Sequence, residues 1–147
     1  MQAATEPIEL DPARIRLLAT PAWRGDDRLS DLLAAWVNGV SPQSGACLFL
    51  LADPRTSPSE AECADRVLAA AVRAGVSLDV AADIVILTHS LGGGDAARLH
   101  AAVDGYVPLH PACAGHERLA LAAGRPVLSA DASVLRSWAA ADIRLAA

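Results

Sequence analysis

The sequence predicts an α/β fold: a single Rossmann-like three-layer αβα domain around a mainly parallel sheet of about six strands. Three observations lead there. Short apolar runs alternate with segments of helical periodicity along the whole chain. The apolar content comes largely from Ala, Leu and Val, with aromatics at only 3%, which suits a sheet covered on both faces by helices. Finally, 147 residues at 53% hydrophobic can build one real core, since a chain of this size buries roughly 70% of its unfolded surface.

Residues 1–12 read as an N-terminal tail and 13–147 as the domain. A first strand is expected over 14–19, within "ARIRLLATPAW" and ending before Pro21. In "RLSDLLAAWVNG" the residues Leu29, Leu32, Leu33, Trp36 and Val37 recur at i, i+3, i+4, i+7 and i+8, one face of a helix stopped by Asn38-Gly39. The continuous apolar run "ACLFLLA" (46–52) is a strand buried on both faces. Ser57, Pro58 and Glu60 then announce a helix by cap, first-turn proline and capping box, and Ala64, Val67, Leu68 and Ala71 form its buried stripe up to Gly75. A strand at 83–88, a helix at 95–103, a strand at 105–109, a helix at about 115–123, a strand at 126–129 and a helix from Ser133 follow, with "ADIRLAA" as a candidate sixth strand.

Strands joined by single helices imply parallel crossovers, and in such sheets ligands bind outside the carboxyl ends of the strands. That places the site among Thr20 to Arg28, Asp53 to Thr56, Thr88 to Gly94, His110 to Glu117 and Ala130 to Ser133.

Charge and composition exclude several classes. The net charge is −5, the pI about 5.2 and the mean hydropathy +0.31, with no cluster of Lys or Arg, so nucleic acid is not an expected partner. No apolar run reaches the ~18 residues a membrane span needs, and "MQAATEPIEL" has neither the basic start nor the apolar stretch of a signal peptide, so the expectation is a cytoplasmic protein. Cys47, Cys63 and Cys113 lack paired spacing and read as free buried thiols, while His89, His100, His110 and His116 are spread over three loops and a helix, so no metal site is assigned. Trp36 and Trp138 belong on apolar helix faces, whereas Trp23 lies in a loop and stands out.

Two functional readings arise from motifs. "THSLGG" (88–93) matches the strand-to-helix elbow G-x-S-x-G except that Thr88 replaces the first glycine, which makes Ser90 an alternative nucleophile for a serine esterase. No histidine follows His116, so Asp131 and Asp142 have no downstream base for a triad in the order of that fold.

The longer pattern is different. "LHAAVDGYVPLH" (99–110), a turn of small residues, and "LALAAGRPV" (119–127) follow one another as a helix L-(Y/H)-x-x-A-D, a strand ending in Ser or His, a glycine-rich turn and a helix E-A-M-A-x-G-x-P-V. Together with "DRLSDLLAAWVNGVSPQSGACLFLLA", this resembles the C-terminal, nucleotide-sugar-binding domain of B-type retaining glycosyltransferases, the large group that includes sucrose and glycogen synthases, over residues 14–138. The resemblance implies a metal-independent transferase domain with a nucleotide-diphosphate sugar as donor substrate and no cofactor. The diphosphate would rest on a helix amino terminus formed by Ala112, Cys113, Ala114, Gly115 and His116, where free N–H groups and the helix dipole favour an anion. His110 would stand near the donor, with Thr88 on the neighbouring loop.

The chain departs from the family at its signature. The two glutamates separated by seven residues fall on Pro111 and Leu119, and the Arg-Lys pair that neutralises the diphosphate falls near Asp26 and Asp27. Arg24 and Arg28 flank that point as replacement cations, and Glu117 as a replacement carboxylate. A B-type transferase holds its acceptor in a second domain, so the resemblance implies an N-terminal acceptor domain or a partner chain, and weak or no activity for this chain alone. The remaining reading is a non-catalytic assembly or regulatory domain.

Overall fold

The computed structural model describes residues 15–23 and 28–146, the side chains of 142–146 excepted. Four parallel strands, β1 (Ile15–Ala19), β2 (Ala46–Ala52), β3 (Asp83–Thr88) and β4 (Gly105–Val107), form one sheet in the order β3-β2-β1-β4. Five helices cover it: α1 (Leu29–Gly39), α2 (Glu60–Ala74), α3 (Asp95–Ala102), α4 (Ala114–Ala122) and α5 (Ala132–Ala146).

Strand alternation sorts the core into two layers. Leu17, Ala19, Leu48 and Leu50 face α1, α2 and α5, while Leu18, Cys47, Phe49 and Tyr106 face α3 and α4. Every residue of β2 is buried, which is why it reads as an unbroken apolar run. Most of the expected α1 stripe is seated, with Leu29 buried, Leu32, Leu33 and Trp36 fully buried and the Trp36 indole N–H donating to the Ala82 carbonyl at 3.0 Å, but Val37 is only half-buried and Ala35 is buried instead. Each such leucine contributes about 1.5–3 kcal/mol by leaving water.

The sheet has four strands, fewer than the six expected. Only Val127 of the segment 126–129 pairs, by a single parallel bridge to Tyr106, because Pro126 supplies a carbonyl to the Tyr106 amide but has no N–H to continue a ladder. The segment "ADIRLAA" is no strand: residues 141–146 continue α5, whose helical stripe Leu135, Trp138 and Ala139 is already buried. The strand expected over 105–109 stops at Val107, ahead of Pro108.

Local details of two helices also differ. α2 is capped by Ser59, whose hydroxyl accepts from the Glu62 amide at 3.2 Å and bonds the Glu62 carboxylate at 3.1 Å, so the capping box lies two residues beyond Ser57 and Glu60. Its buried face is Cys63, Val67, Ala70 and Ala71; Leu68 is 58% exposed. Gly39 ends α1 for reasons of space. A Cβ built on it would stand 2.5 Å from the Ala132 carbonyl oxygen, where α5 begins.

The Gly39→Ala variant is therefore expected to lose about 1–3 kcal/mol by forcing α1 and α5 apart. A denaturant melt showing unchanged stability would mean that the two helices do not meet there.

Candidate functional site

The ladder between β1 and β4 runs only from Leu17–Gly105 to Ala19–Val107. Pro108, without an N–H, follows Val107, and beyond that point the carboxyl ends of the strands open onto a crevice of about 720 Å³. This is also where the strand order reverses, since β2 and β3 lie on one side of β1 and β4 on the other. Thr20, Asp53, Leu91, His110, Cys113 and His116 line it, drawn from the segments after all four strands. Four of the five expected loops thus contribute. The fifth lines a separate surface groove, in which Ala130, Asp131 and Ala132 meet Arg28.

Thr20 organises the base of the crevice. Only 7% exposed, its hydroxyl shares a 2.6 Å hydrogen bond with the Tyr106 hydroxyl and lies 3.3 Å from the Cys113 sulfur. Its carbonyl accepts from His110 Nε2 at 3.0 Å. Burial pushes the Tyr106 phenol well above its ordinary range, so it remains a protonated hydroxyl.

Behind the wall, three rings from three elements pack together. His100 of α3 is fully buried, and its Nε2 lies 2.9 Å from Nδ1 of His116 in the first turn of α4. Tyr106 of β4 meets His100 edge-on at a centroid distance of 5.0 Å and stacks on His116 at 5.9 Å. Burial, then the neighbouring charge of His116, brings His100 down to about 4, and burial, then the charge of His110, lowers His116. Both imidazoles are neutral at pH 7.

The rim opposite is held by Asp53. Its carboxylate accepts from Arg55 at 3.0 and 3.3 Å and from the Leu91 amide at 3.4 Å, and these bonds, the Arg55 side chain foremost, bring it down to about 2. Arg55 also donates to the Leu91 carbonyl at 2.6 Å, tying the loop after β2 to the loop after β3.

The residues singled out from sequence are divided by this geometry. His110, Ala112, Cys113 and His116 line the crevice. Ala114 and Gly115 are exposed at the head of α4, and a Cβ on Gly115 would meet nothing within 4 Å. The Cys113 amide is taken by the His110 carbonyl at 3.1 Å, while the Ala112 amide has no acceptor among the described residues. Glu117 follows in the first turn of α4. Thr88 is exposed at the end of the edge strand β3, off the crevice. Arg28 is engaged with Asp31 at 3.1 Å in the separate groove, and Arg24, Asp26 and Asp27 lie outside the described residues.

Ser90 is exposed in the loop 89–94, and its hydroxyl bonds no imidazole or carboxylate among the described residues. α3 begins only at Asp95, five residues on, so the stretch is a loop and not the tight elbow that would aim a nucleophile. Trp23 is in the core: 2% exposed, with φ 63°, its indole N–H donates to the Leu51 carbonyl at 3.0 Å. The backbone there adopts the left-handed region because burial and that bond hold it.

Sequence reasoning missed Thr20 as a hub, and also Tyr106 and His100. One signal was present for His100. It follows Leu99 and precedes Val103 by three, on the face that α3 buries.

No protein-family model, curated protein or solved structure matches the chain.

Thr20→Val keeps the shape but strips the Tyr106 hydroxyl of its partner, and is expected to cost about 1–3 kcal/mol in a denaturant melt. The histidine pair sets a pH dependence. Between pH 6.5 and 4 the unfolded chain protonates imidazoles that the fold keeps neutral, so stability present above 6.5 falls as pH drops through that window. His100 alone accounts for up to about 3 kcal/mol. Unfolding midpoints that do not fall between pH 6.5 and 4 would contradict its burial as a neutral ring.

Proposed function

We propose that this chain is a nucleotide-sugar-binding domain of the glycosyltransferase B type, which seats a donor diphosphate in the crevice beside the carboxyl ends of β1 and β4. The observation that carries this reading is the coincidence of two independent placements. The turn 112–116 that the resemblance aligns with the donor diphosphate, with His110 just ahead of it, walls the crevice at the reversal of strand order through His110, Ala112, Cys113 and His116.

The chemistry of the crevice then defines how a diphosphate is held. Among the described residues no Arg lines it, and the one carboxylate that does, Asp53, is neutralised by Arg55. Binding falls to the open amide at Ala112, the head of α4 and the ring of His116, which is hydrogen bonding to an anion by neutral donors, while His110 spends its Nε2–H on the Thr20 carbonyl. Pro111 and Leu119 offer no carboxylate to the sugar, so the role is donor binding, with turnover weak or absent in this chain alone and an acceptor site supplied by another domain or chain.

Calorimetric titration with UDP, GDP and ADP and their glucose conjugates tests the reading. At least one is expected to bind with a sub-millimolar Kd and, at a hundredfold excess over Kd, to stabilise the fold by about 2.7 kcal/mol. Silence from all of them would remove it. The assembly reading has one observation in its favour: Leu68 and Val72, one turn apart on α2, are 58% and 80% exposed. A chain that binds no nucleotide and sediments as an oligomer would be explained by that reading instead.

A further inference from the structure

The two nitrogens of His116 have different surroundings. Nδ1 meets His100 at 2.9 Å, and Nε2 has no hydrogen-bond partner among the described residues, on a ring that lines the crevice. What Nε2 offers a ligand depends on which ring owns the proton in the bond between them. If His116 Nδ1 donates, Nε2 is a bare lone pair and His116 is a base. If His100 Nε2 donates, His116 carries its own proton on Nε2 and is a donor.

His100 decides between these. Its Nδ1 is buried and has no hydrogen-bond partner. A neutral His100 protonated on Nδ1 would bury an N–H without an acceptor, the costlier and rarer of the two ways to leave a polar atom unpaired. The proton therefore belongs on His100 Nε2, where it is used. Protonating both nitrogens is no way out, because burial and the nearby His116 hold His100 neutral well below pH 7. The other polar groups around the pair leave the assignment unchanged: Tyr106 is a protonated phenol engaged with Thr20, and Cys113 is also turned to Thr20. Glu117 and His110 bond neither ring of the pair among the described residues, and His110 has a fixed role of its own, its Nε2 donating to the Thr20 carbonyl.

We infer that His100 is a positioning residue that locks His116 as an Nε2–H donor facing the crevice, so that the ligand places an unprotonated, anionic oxygen against it. The ligand half of this inference rests on the crevice being the diphosphate site proposed above. The lock itself does not.

Imidazole ¹⁵N NMR of the full chain at pH 7 reads the lock directly, without ligand and without mutation. The expected spectrum has His116 protonated on Nε2 and bare on Nδ1. Protonation on Nδ1 overturns the inference and makes His116 a base. In His100→Gln, whose amide N–H can replace the donor, the His116 signals stay in place; in His100→Leu they move to a mixture of tautomers while circular dichroism shows the fold intact. A His116 spectrum unmoved by His100→Leu removes His100 from its role, and if that variant does not fold the wild-type and His100→Gln spectra still decide.

Inorganic pyrophosphate probes the ligand half. His116→Ala is expected to weaken its binding about tenfold or more, the loss of one hydrogen bond to a charged oxygen, and His116→Gln by no more than about threefold. Equal affinities in wild type and His116→Ala overturn the donor role. Absence of any pyrophosphate or nucleotide binding sinks the proposed function and this ligand assignment together, and the NMR result stands apart from both.

Discussion

Where the β1–β4 ladder ends at Pro108, the polar groups beneath the crevice have to satisfy one another, and the rest of the site follows from how they do so. Thr20 is 7% exposed and Tyr106 fully buried, so neither hydroxyl can rely on water. Their 2.6 Å bond takes over from the backbone pairing that stopped one residue earlier. Leaving either group bare costs about as much as a well-packed methyl group or two contributes, so the bond fixes the end of β1 against β4. With that edge fixed, the Thr20 carbonyl can orient His110, and the Tyr106 ring can hold His116 and His100 in place.

The same arrangement gives the crevice its chemical character. Burial holds His116 neutral, the Asp53 carboxylate is clasped by Arg55, and no arginine lines the crevice among the described residues. Neutral donors of this kind make directional hydrogen bonds, which are selective for where an oxygen sits and weakly sensitive to salt. The strapped loops after β2 and β3, joined through Asp53, Arg55 and Leu91, keep the opposite rim in register with the histidine wall.

Legibility in the sequence tracked how local the governing physics was. The α1 stripe was readable because its period alone selects the buried face, and β2 because full burial leaves no polar residue in it. Two S-x-x-E patterns overlap before α2, and pattern matching could not choose Ser59 over Ser57. Burial of Cys63 and Val67 did, and the same rotation left Leu68 outside. The segment 126–129 has a strand's composition, yet one proline reduced it to a single bridge. Gly39 is the helix stop it looked like, and it is also a clearance for the Ala132 carbonyl, a neighbour 93 residues away that no local window contains.

What the chain determined by itself is the alternation of strands and helices, the parallel sheet, and the segments that gather at its carboxyl rim, all consequences of hydrophobic period and chain direction. Which residues within those segments meet was decided only in three dimensions. His100 and His116 are 16 residues apart on different helices, and Thr20 is 86 residues from Tyr106. Their pairing is enforced by the cost of burying polar atoms without partners, a constraint that comes into being only once the layers have closed and excluded water.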